Sequence, residues 1–252
     1  MLIKKKIKVL VVDDSALFRE VLSRGISVDD DLVVVDTARD PYDARDKILK
    51  YKPDVMTCDI QMPKMDGIEF IRQLLPQYPI PVIVISTVDG AVFDAMNAGA
   101  VDFIAKPALT STDTVKGFFY ELIYKIKVAS TANIVNSKTV SSPDKPHGVF
   151  SGTNTDIIIA IGASTGGTEA ISQIVSSLPG NMPGIVIVQH IPPMFSSMFA
   201  QRLNTTSSLE VKEAQNGDYI ETGKVFIAPG DKHMRVKKVG SKYKVECLRE
   251  KK

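Results

Sequence analysis

Lys8-Val9-Leu10-Val11-Val12-Asp13-Asp14-Ser15 is the stretch that decides the fold of the first half of the chain. Its apolar, mostly β-branched run predicts a strand, and Ser15 is placed to cap the helix predicted over residues 16–25. Four further apolar runs, each followed by a helical pattern, come before residue 127. Short apolar strands that alternate with helices indicate a parallel sheet covered on both faces. We therefore predict a doubly wound, parallel α/β domain over residues 1–127.

Residues 128–155 lose this periodicity. Ser, Thr, Asn, Pro and Gly dominate the segment, which is typical of a linker. Residues 156–252 then begin with two more apolar runs, 157–161 and 185–188, on either side of a helical pattern. Parallel strands joined in this way are expected to lie side by side or close. The second domain is therefore predicted to be α/β (Rossmann-like), with short strands and turns towards its end.

Bulk composition favours a soluble globular protein. The 252 residues are enough for two modest domains, each with its own core. A net charge of +2 gives no global field that would favour nucleic acid or a membrane surface. The only cysteines, Cys58 and Cys247, lie far apart and fit a reducing compartment. The basic start of the chain lacks the apolar run of an export signal, and no run approaches the roughly 20 residues of a bilayer span. We predict a cytoplasmic protein without membrane insertion.

Charged and hydroxyl side chains follow the predicted strands of the first domain at matching positions. These residues are Asp13, Asp14, Asp59, Ser86 and Lys106. Because the carboxyl ends of parallel strands meet in one crevice, the five groups should converge. Grouped carboxylates repel one another unless a cation is present, and oxygen-rich sites of this kind suit Mg²⁺. A carboxylate there can attack a phosphoryl donor, and the lysine can balance the new charge. A turn role would explain any one aspartate, but not five such groups at the ends of four strands.

Residues 7–127 resemble a response-regulator receiver domain, and the resemblance implies a flavodoxin-like fold. The likeness rests on the acidic pair Asp13-Asp14, the phosphoacceptor loop Asp59-Ile60-Gln61-Met62-Pro63-Lys64-Met65-Asp66-Gly67, the switch residues Ser86 and Phe103, and Lys106-Pro107. It implies that a histidine kinase phosphorylates Asp59. It also implies a Mg²⁺ site made of Asp14, Asp59 and the Gln61 carbonyl, with Asp13 acting through water. Ser86 and Phe103 are expected to move on phosphorylation, and the Lys106–Pro107 bond is expected to be cis.

A second motif, Gly162-Ala163-Ser164-Thr165-Gly166-Gly167, follows the first predicted strand of the second domain. It predicts a sharp strand-to-helix turn with a hydroxyl at its apex, so Ser164 is a candidate nucleophile. The next strand ends at His190, which can act as general base, and the Thr165 N–H can stabilise an oxyanion. A phosphate-binding turn and simple packing glycines are the alternatives. The spacing is not G-x-G-x-x-G, so a hydrolase is favoured. Of the other histidines, His147 lies in the predicted linker and His233 follows a later turn.

The second domain resembles the catalytic domain of chemotaxis protein-glutamate methylesterases. The motifs that carry the likeness are Ile161-Gly162-Ala163-Ser164-Thr165-Gly166-Gly167, Gln189-His190-Ile191-Pro192-Pro193-Met194-Phe195 and Ala228-Pro229-Gly230-Asp231-Lys232-His233-Met234. The resemblance implies hydrolysis of glutamate methyl esters on chemoreceptors, with possible deamidation of receptor glutamines. It makes Ser164 the nucleophile and His190 the base, with Thr165 assisting. The implied partners are the chemotaxis histidine kinase as phosphodonor and the methyl-accepting chemoreceptors as substrate.

The orienting carboxylate of a catalytic triad is not apparent in the sequence. In the family that the chain resembles it lies beyond the position where this sequence stops, so the second domain is expected to be truncated and to have little or no activity of its own. Asp218 and Asp231 follow His190, but each lies in a turn-like sequence, so a turn role is favoured. Residues 232–252 are strongly basic with few aromatics, which favours solvated strand edges over nucleic-acid binding.

Another class of function stays open, that of a non-catalytic phosphoacceptor acting as a phosphate sink or competitor. Phosphotransfer without esterase turnover would select it. A DNA-binding response regulator is disfavoured, because no helix-turn-helix pattern follows the predicted linker.

Overall fold

The structure is a computed structural model that describes residues 5–87, 91–107, 111–132 and 157–249. The chain divides into two compact units, Met1–Ser137 and Lys138–Lys252. Most of the predicted linker, and with it His147, lies outside the described residues. None of the described helices has both the length and the apolar composition that crossing a bilayer requires.

Strands and helices alternate through the described part of the first unit. They are β1 Ile7–Val12, α1 Ala16–Ile26, β2 Leu32–Ala38, α2 Pro41–Tyr51, β3 Val55–Asp59, α3 Gly67–Leu74, β4 Val82–Ser86, α4 Ala91–Asn97, β5 Asp102–Ala105 and α5 Thr112–Ala129. The strands form one parallel sheet in the order β2-β1-β3-β4-β5. This order confirms the predicted flavodoxin-like, doubly wound fold. The carboxyl ends of β1, β3, β4 and β5 therefore face the same edge of the sheet.

Side-chain caps set where several of these helices begin. The Ser15 hydroxyl accepts a hydrogen bond from the Phe18 N–H at 3.3 Å, which confirms its predicted role as the cap of α1. Asp40 and Asp66 cap α2 and α3 in the same way. At the other end of the unit, α5 continues to Ala129, two residues past the predicted domain boundary. Ala129 is fully buried in the hydrophobic core of this unit.

The second unit contains two sheets. Its elements are β6 Ile158–Ala163, α6 Gly167–Ser177, β7 Gly184–Gln189, α7 Pro193–Thr206, β8 Glu210–Glu213, β9 Tyr219–Ile220, β10 Lys224–Ile227, β11 His233–Val239 and β12 Lys242–Leu248. The first sheet is parallel, in the order β6-β7-β10-β8, and the second is antiparallel, in the order β11-β12-β9. As predicted, β6 and β7 are neighbours, and Ala163 lies opposite Gln189 at their carboxyl ends.

The basic segment near the end of the described chain forms the hairpin β11–β12. Its solvent-exposed cations are Lys232, Arg235, Lys237, Lys238, Lys242 and Arg249. Several are ion-paired within the unit, since Glu246 accepts from both Arg235 and Lys237 at 3.1 and 2.7 Å. These exposed lysines and arginines agree with the prediction of solvated strands.

Candidate functional site

Three carboxylates meet at the carboxyl edge of the first sheet. Carboxylate oxygens of Asp13, Asp14 and Asp59 all lie within 4.8 Å of one another. Asp13 is fully buried and Asp59 is 4% exposed, whereas Asp14 faces solvent. The cluster therefore has a buried floor and one open side. Oxygen donors of this type are the ligands that Mg²⁺ prefers, and the open side leaves room for the waters that Mg²⁺ keeps.

Lys106 neutralises part of this negative charge. Its ammonium lies 2.6 Å from Asp59 Oδ2 and 3.0 Å from Asp13 Oδ2. Burial raises the pKa of the Asp59 carboxyl above its ordinary value, and the hydrogen bond and charge of Lys106 only partly offset this. Burial by itself would lower the pKa of the Lys106 ammonium, but its hydrogen bonds to Asp59 and Asp13 outweigh that effect and raise the pKa. The lysine is therefore fixed in its charged form beside the two acids.

Two residues for which no individual role was predicted hold the loops of this pocket. One guanidinium nitrogen of Arg19 donates to the backbone carbonyls of Asp13 and Asp14 at 2.7 and 2.9 Å. Gly67 begins α3 directly against the end of β3, since a Cβ at that position would lie 2.1 Å from the Asp59 carbonyl oxygen. The only sequence signal for either role was position, a basic residue in the first turn of α1 and a glycine closing the Asp59 loop.

The two predicted switch residues occupy buried positions. The Ser86 hydroxyl lies at the end of β4 and has no hydrogen-bond partner among the described residues. Phe103 is 3% exposed and packs edge-on against Phe93, with ring centroids 6.1 Å apart. The expectation of a cis Lys106–Pro107 bond is wrong, because the described chain has no cis peptide. The trans form is the intrinsically preferred one, and Lys106 reaches both acids from it.

The predicted nucleophile turn lies at the carboxyl end of β6. Ser164 is half-buried and follows the last residue of the strand, and Gly166 adopts a left-handed φ of 75° before α6 begins. The Thr165 and Gly166 N–H groups donate no hydrogen bond to any described residue. Two unpaired N–H groups at a helix N-terminus can bind an oxyanion. The Thr165 hydroxyl, in contrast, is buried and unpartnered within the described structure.

His190 directly follows β7, the strand that pairs with β6, and β6 leads into the turn that holds Ser164. Its N–H donates to the Ala163 carbonyl at 3.1 Å, so the pairing of β6 and β7 continues to the two predicted catalytic residues. The His190 side chain is exposed. Within the described chain, the Ser164 hydroxyl and the His190 imidazole make no hydrogen bond to each other, and no carboxylate bonds to the imidazole. The structure thus places Ser164 and His190 side by side at the carboxyl ends of β6 and β7, without a hydrogen bond between their side chains.

The two aspartates after His190 have turn roles in the structure. Asp218 accepts hydrogen bonds from the Lys212 ammonium at 2.9 Å and from the Gln215 N–H at 2.8 Å. Asp231 is exposed and holds a left-handed φ of 58° in the turn before β11. These contacts agree with the turn roles predicted for both residues.

Comparison with known proteins places the two units in one class, a response-regulator receiver joined to a methylesterase. The family model for the response regulator receiver domain matches residues 9–114, and the one for CheB methylesterase matches residues 159–251. The chain is 54% identical over 243 residues to "Protein-glutamate methylesterase/protein-glutamine glutaminase 2" of Syntrophomonas wolfei subsp. wolfei, covering 96% of this chain and 71% of that protein. The chain therefore belongs to the protein-glutamate methylesterase/protein-glutamine glutaminase family of chemotaxis response regulators, which are carboxylic ester hydrolases.

Two solved structures from Thermotoga maritima are similar to parts of the chain. The response regulator domain of CheB is 38% identical with a TM-score of 0.48, covering 51% of this chain and 99% of that one. The CheB methylesterase catalytic domain is 44% identical with a TM-score of 0.36, covering 38% of this chain and 51% of that one. Family membership does not favour the alternative of a non-catalytic phosphoacceptor.

Proposed function

We propose that this chain is a cytoplasmic chemotaxis response regulator in which phosphorylation of Asp59 controls a serine esterase. The esterase would hydrolyse glutamate methyl esters on methyl-accepting chemoreceptors and would also deamidate receptor glutamines. The observation that carries the proposal is that Ser164 and His190 directly follow the neighbouring parallel strands β6 and β7, beside two N–H groups without a partner among the described residues. The proposed boundaries are a receiver over residues 1–127, a linker over 128–155 and an esterase part from 156.

In the proposed reaction Ser164 Oγ attacks the ester carbonyl carbon while His190 takes the hydroxyl proton. The Thr165 and Gly166 N–H groups stabilise the resulting oxyanion, and each such donor contributes about 3 kcal/mol in comparable enzymes. The bond to the methoxy oxygen then breaks, and His190 returns the proton to release methanol. Water cleaves the acyl-serine by the same steps, which restores Ser164 and leaves glutamate. A glutamine side chain would follow the same path with ammonia as the leaving group.

His190 must turn towards Ser164 for this proton transfer, because the two side chains are not hydrogen-bonded in the structure. Catalytic hydrogen bonds often form only in the complex with substrate. The exposed position of the imidazole leaves it free to rotate. Within the described residues no carboxylate bonds to the imidazole, and Asp218 is engaged by Lys212, so we expect methanol release by this chain to be slow.

In the receiver, Asp59 would accept the phosphoryl group from a chemotaxis histidine kinase. Its carboxylate oxygen forms the new bond to phosphorus as the bond to the kinase histidine breaks. Lys106 can follow the charge from the carboxylate to the phosphoryl oxygens, and the unpartnered Ser86 hydroxyl can donate to one of them. Asp14, Asp59 and the Gln61 carbonyl would hold Mg²⁺, with Asp13 bound through water. When bound, the ion supplies positive charge that neutralises the phosphoryl oxygens.

Methanol release from membranes that carry methylated chemoreceptors tests the esterase assignment. We expect Ser164→Ala to reduce release by the purified protein to background. The matched control is Ser172→Ala on α6, whose hydroxyl bonds only to the Thr168 carbonyl and whose loss should leave release unchanged. Persistent release by Ser164→Ala would remove Ser164 from the mechanism.

Phosphorylation is tested separately by intact-protein mass spectrometry with a small acyl phosphate as donor. We expect one phosphoryl group per chain in the presence of Mg²⁺, and none in Asp59→Asn or after chelation. A phosphoryl group retained by Asp59→Asn would place the acceptor elsewhere.

A further inference from the structure

Gln189 is a buried polar residue at the carboxyl end of β7, next to Ser164 and His190, and the proposed chemistry does not use it. It is the last residue of β7 and only 6% exposed. Its amide nitrogen donates to the Ser164 carbonyl at 2.9 Å and lies 3.3 Å from the His190 carbonyl. One side-chain amide therefore contacts the backbone of both the proposed nucleophile and the proposed base.

The direction of this amide is set by its neighbours. Two carbonyl oxygens face the nitrogen end, and a carbonyl can only accept, so the reversed amide would place oxygen against oxygen. At the other end, the Gln189 carbonyl oxygen lies 2.1 Å from where a Cβ would stand on Gly167. The first residue of α6 must therefore lack a side chain for the amide to fit.

The contact with Ser164 determines where the proposed oxyanion donor points. The Ser164 carbonyl accepts from both the Gln189 amide and the Gly167 N–H, at 2.9 and 2.8 Å. The C=O of Ser164 and the N–H of Thr165 belong to one planar trans peptide, in which the two bonds point in opposite directions. Holding the carbonyl inward therefore holds the Thr165 N–H outward, and that N–H has no partner among the described residues.

We propose that Gln189 is a positioning residue that fixes the Ser164–Thr165 peptide so that the Thr165 N–H faces the oxyanion. This inference rests on the proposed function of Ser164. Gln189 has no direct contact with substrate in this role, because its Nε2 donates to the turn and its Oε1 is buried without a hydrogen-bond partner among the described residues. The same contact explains why position 167 is a glycine, because a Cβ there would clash with the Gln189 amide.

The kinetic test uses a fluorophosphonate, which forms a bond from phosphorus to the serine Oγ and releases fluoride. Intact-mass labelling of the purified protein gives the maximal rate and the half-saturating concentration separately. We expect Gln189→Leu to lower the maximal rate about 10- to 100-fold and to leave the half-saturating concentration within about twofold, because only the transition state gains from the oxyanion donor. Gln173→Leu, an exposed glutamine on α6, is the matched control and should label like the wild type.

A packing role is separated from a positioning role by Gln189→Glu, which keeps the shape. An ionised carboxylate facing two carbonyls cannot donate, whereas a protonated one can donate once. The ratio of its labelling rate to that of the wild type should therefore rise as the pH falls. A ratio that stays constant with pH, in a variant that keeps the wild-type melting temperature, would overturn the positioning role.

Amide NMR tests the role of Gln189 without relying on the labelling of Ser164. Failure of Ser164 to label would count against Ser164 as the nucleophile, but not against the positioning of the Thr165 N–H. In the wild-type protein we expect the side-chain amide protons of Gln189 to exchange slowly with solvent. In Gln189→Leu we expect the Thr165 amide resonance to shift and to exchange faster than in Gln173→Leu. Rapid exchange of the Gln189 side-chain amide in the wild type, or an unmoved Thr165 resonance in the variant, would refute the inference.

Discussion

The Lys106 ammonium lies 2.6 Å from a carboxylate oxygen of Asp59, although the two residues are 47 positions apart in the chain. The contact joins the end of β5 to the end of β3 across the carboxyl edge of the sheet. The Lys106 ammonium also lies 4.9 Å from the centroid of the Phe18 ring, and this cation–π contact adds to its attraction for the pocket. Lys106 therefore neutralises part of the negative charge of the acidic pocket, and removing either the lysine or an acid should change the stability of the folded protein.

Asp59→Asn should raise the melting temperature at neutral pH. Burial raises the pKa of Asp59 in the folded protein above the ordinary value of 3.8, so folding favours the protonated form. The stability from this group is complete below 3.8 and is lost as the pH rises through the raised pKa. At pH 7 the ionised carboxylate therefore opposes folding, and asparagine removes that cost.

Thermal unfolding of Asp59→Asn and wild type between pH 3 and 8 measures the effect. The difference should be largest at neutral pH and should shrink as the pH approaches 4. Asp46→Asn, which removes only an exposed ion pair with Arg45, is the control and should change little at any pH. A lower melting temperature for Asp59→Asn at pH 7 would contradict the expectation.

Lys106→Met should destabilise the protein, and Mg²⁺ should restore more stability to the variant than to wild type. The change leaves Asp13 and Asp59 without their cation, which should cost about 3 kcal/mol. A metal ion bound by the same carboxylates replaces the lost charge. Urea unfolding with and without Mg²⁺ gives both quantities. Lys64→Met, which removes the ion pair with Asp40, should show no added Mg²⁺ effect, and equal responses in the two variants would argue against a metal site at the cluster.

Gly67→Ala should destabilise the receiver by more than about 2 kcal/mol. The new Cβ would lie 2.1 Å from the Asp59 carbonyl oxygen, which is backbone and cannot move aside without shifting β3. Gly117→Ala is the matched control, because a Cβ there meets nothing within 4 Å and α5 should gain about 0.5–1 kcal/mol. Opposite signs in urea unfolding are expected, and a neutral Gly67→Ala would mean that α3 does not pack on Asp59 as described.

Ser196→Ala should destabilise the second unit by about 1–3 kcal/mol. The Ser196 hydroxyl is fully buried and accepts from the Gly230 N–H at 3.1 Å, and its one proton can go to Glu213 or to the Pro193 carbonyl. The variant would leave the Gly230 N–H unpaired and Glu213 without its hydroxyl partner. Ser172→Ala, which loses only a bond within α6, should be neutral or slightly stabilising in the same unfolding experiment. Equal effects from the two serines would mean that the buried contacts contribute nothing.

Much of the fold follows from the sequence because the deciding signals are local. Apolar runs predicted the strands of the first sheet, and the alternation with helices predicted parallel pairing. Parallel pairing in turn predicted that Asp59 and Lys106 would meet, since strand ends on one edge converge whatever the loops do. The serine cap of α1 was equally local.

The parts that could not be predicted depend on contacts between residues distant in the chain. Gln189 is 25 positions from Ser164, and nothing in its own sequence indicates which carbonyl its amide will reach. Arg19 is much nearer to Asp14 and Asp13, but its guanidinium donates to their backbone carbonyls, and a sequence pattern does not indicate a contact with backbone. The isomer of the Lys106–Pro107 bond was inferred from resemblance to a family, and the chain departs from that expectation.

The most direct measurement of the central claim is methanol release from methylated chemoreceptor membranes with and without an acyl phosphate donor. We predict that the donor stimulates the slow release by wild type and by Asp46→Asn. Asp59→Asn should not respond, and Ser164→Ala should release nothing under either condition. Stimulation that survives in Asp59→Asn, or release that survives in Ser164→Ala, would contradict control of a Ser164 esterase through Asp59.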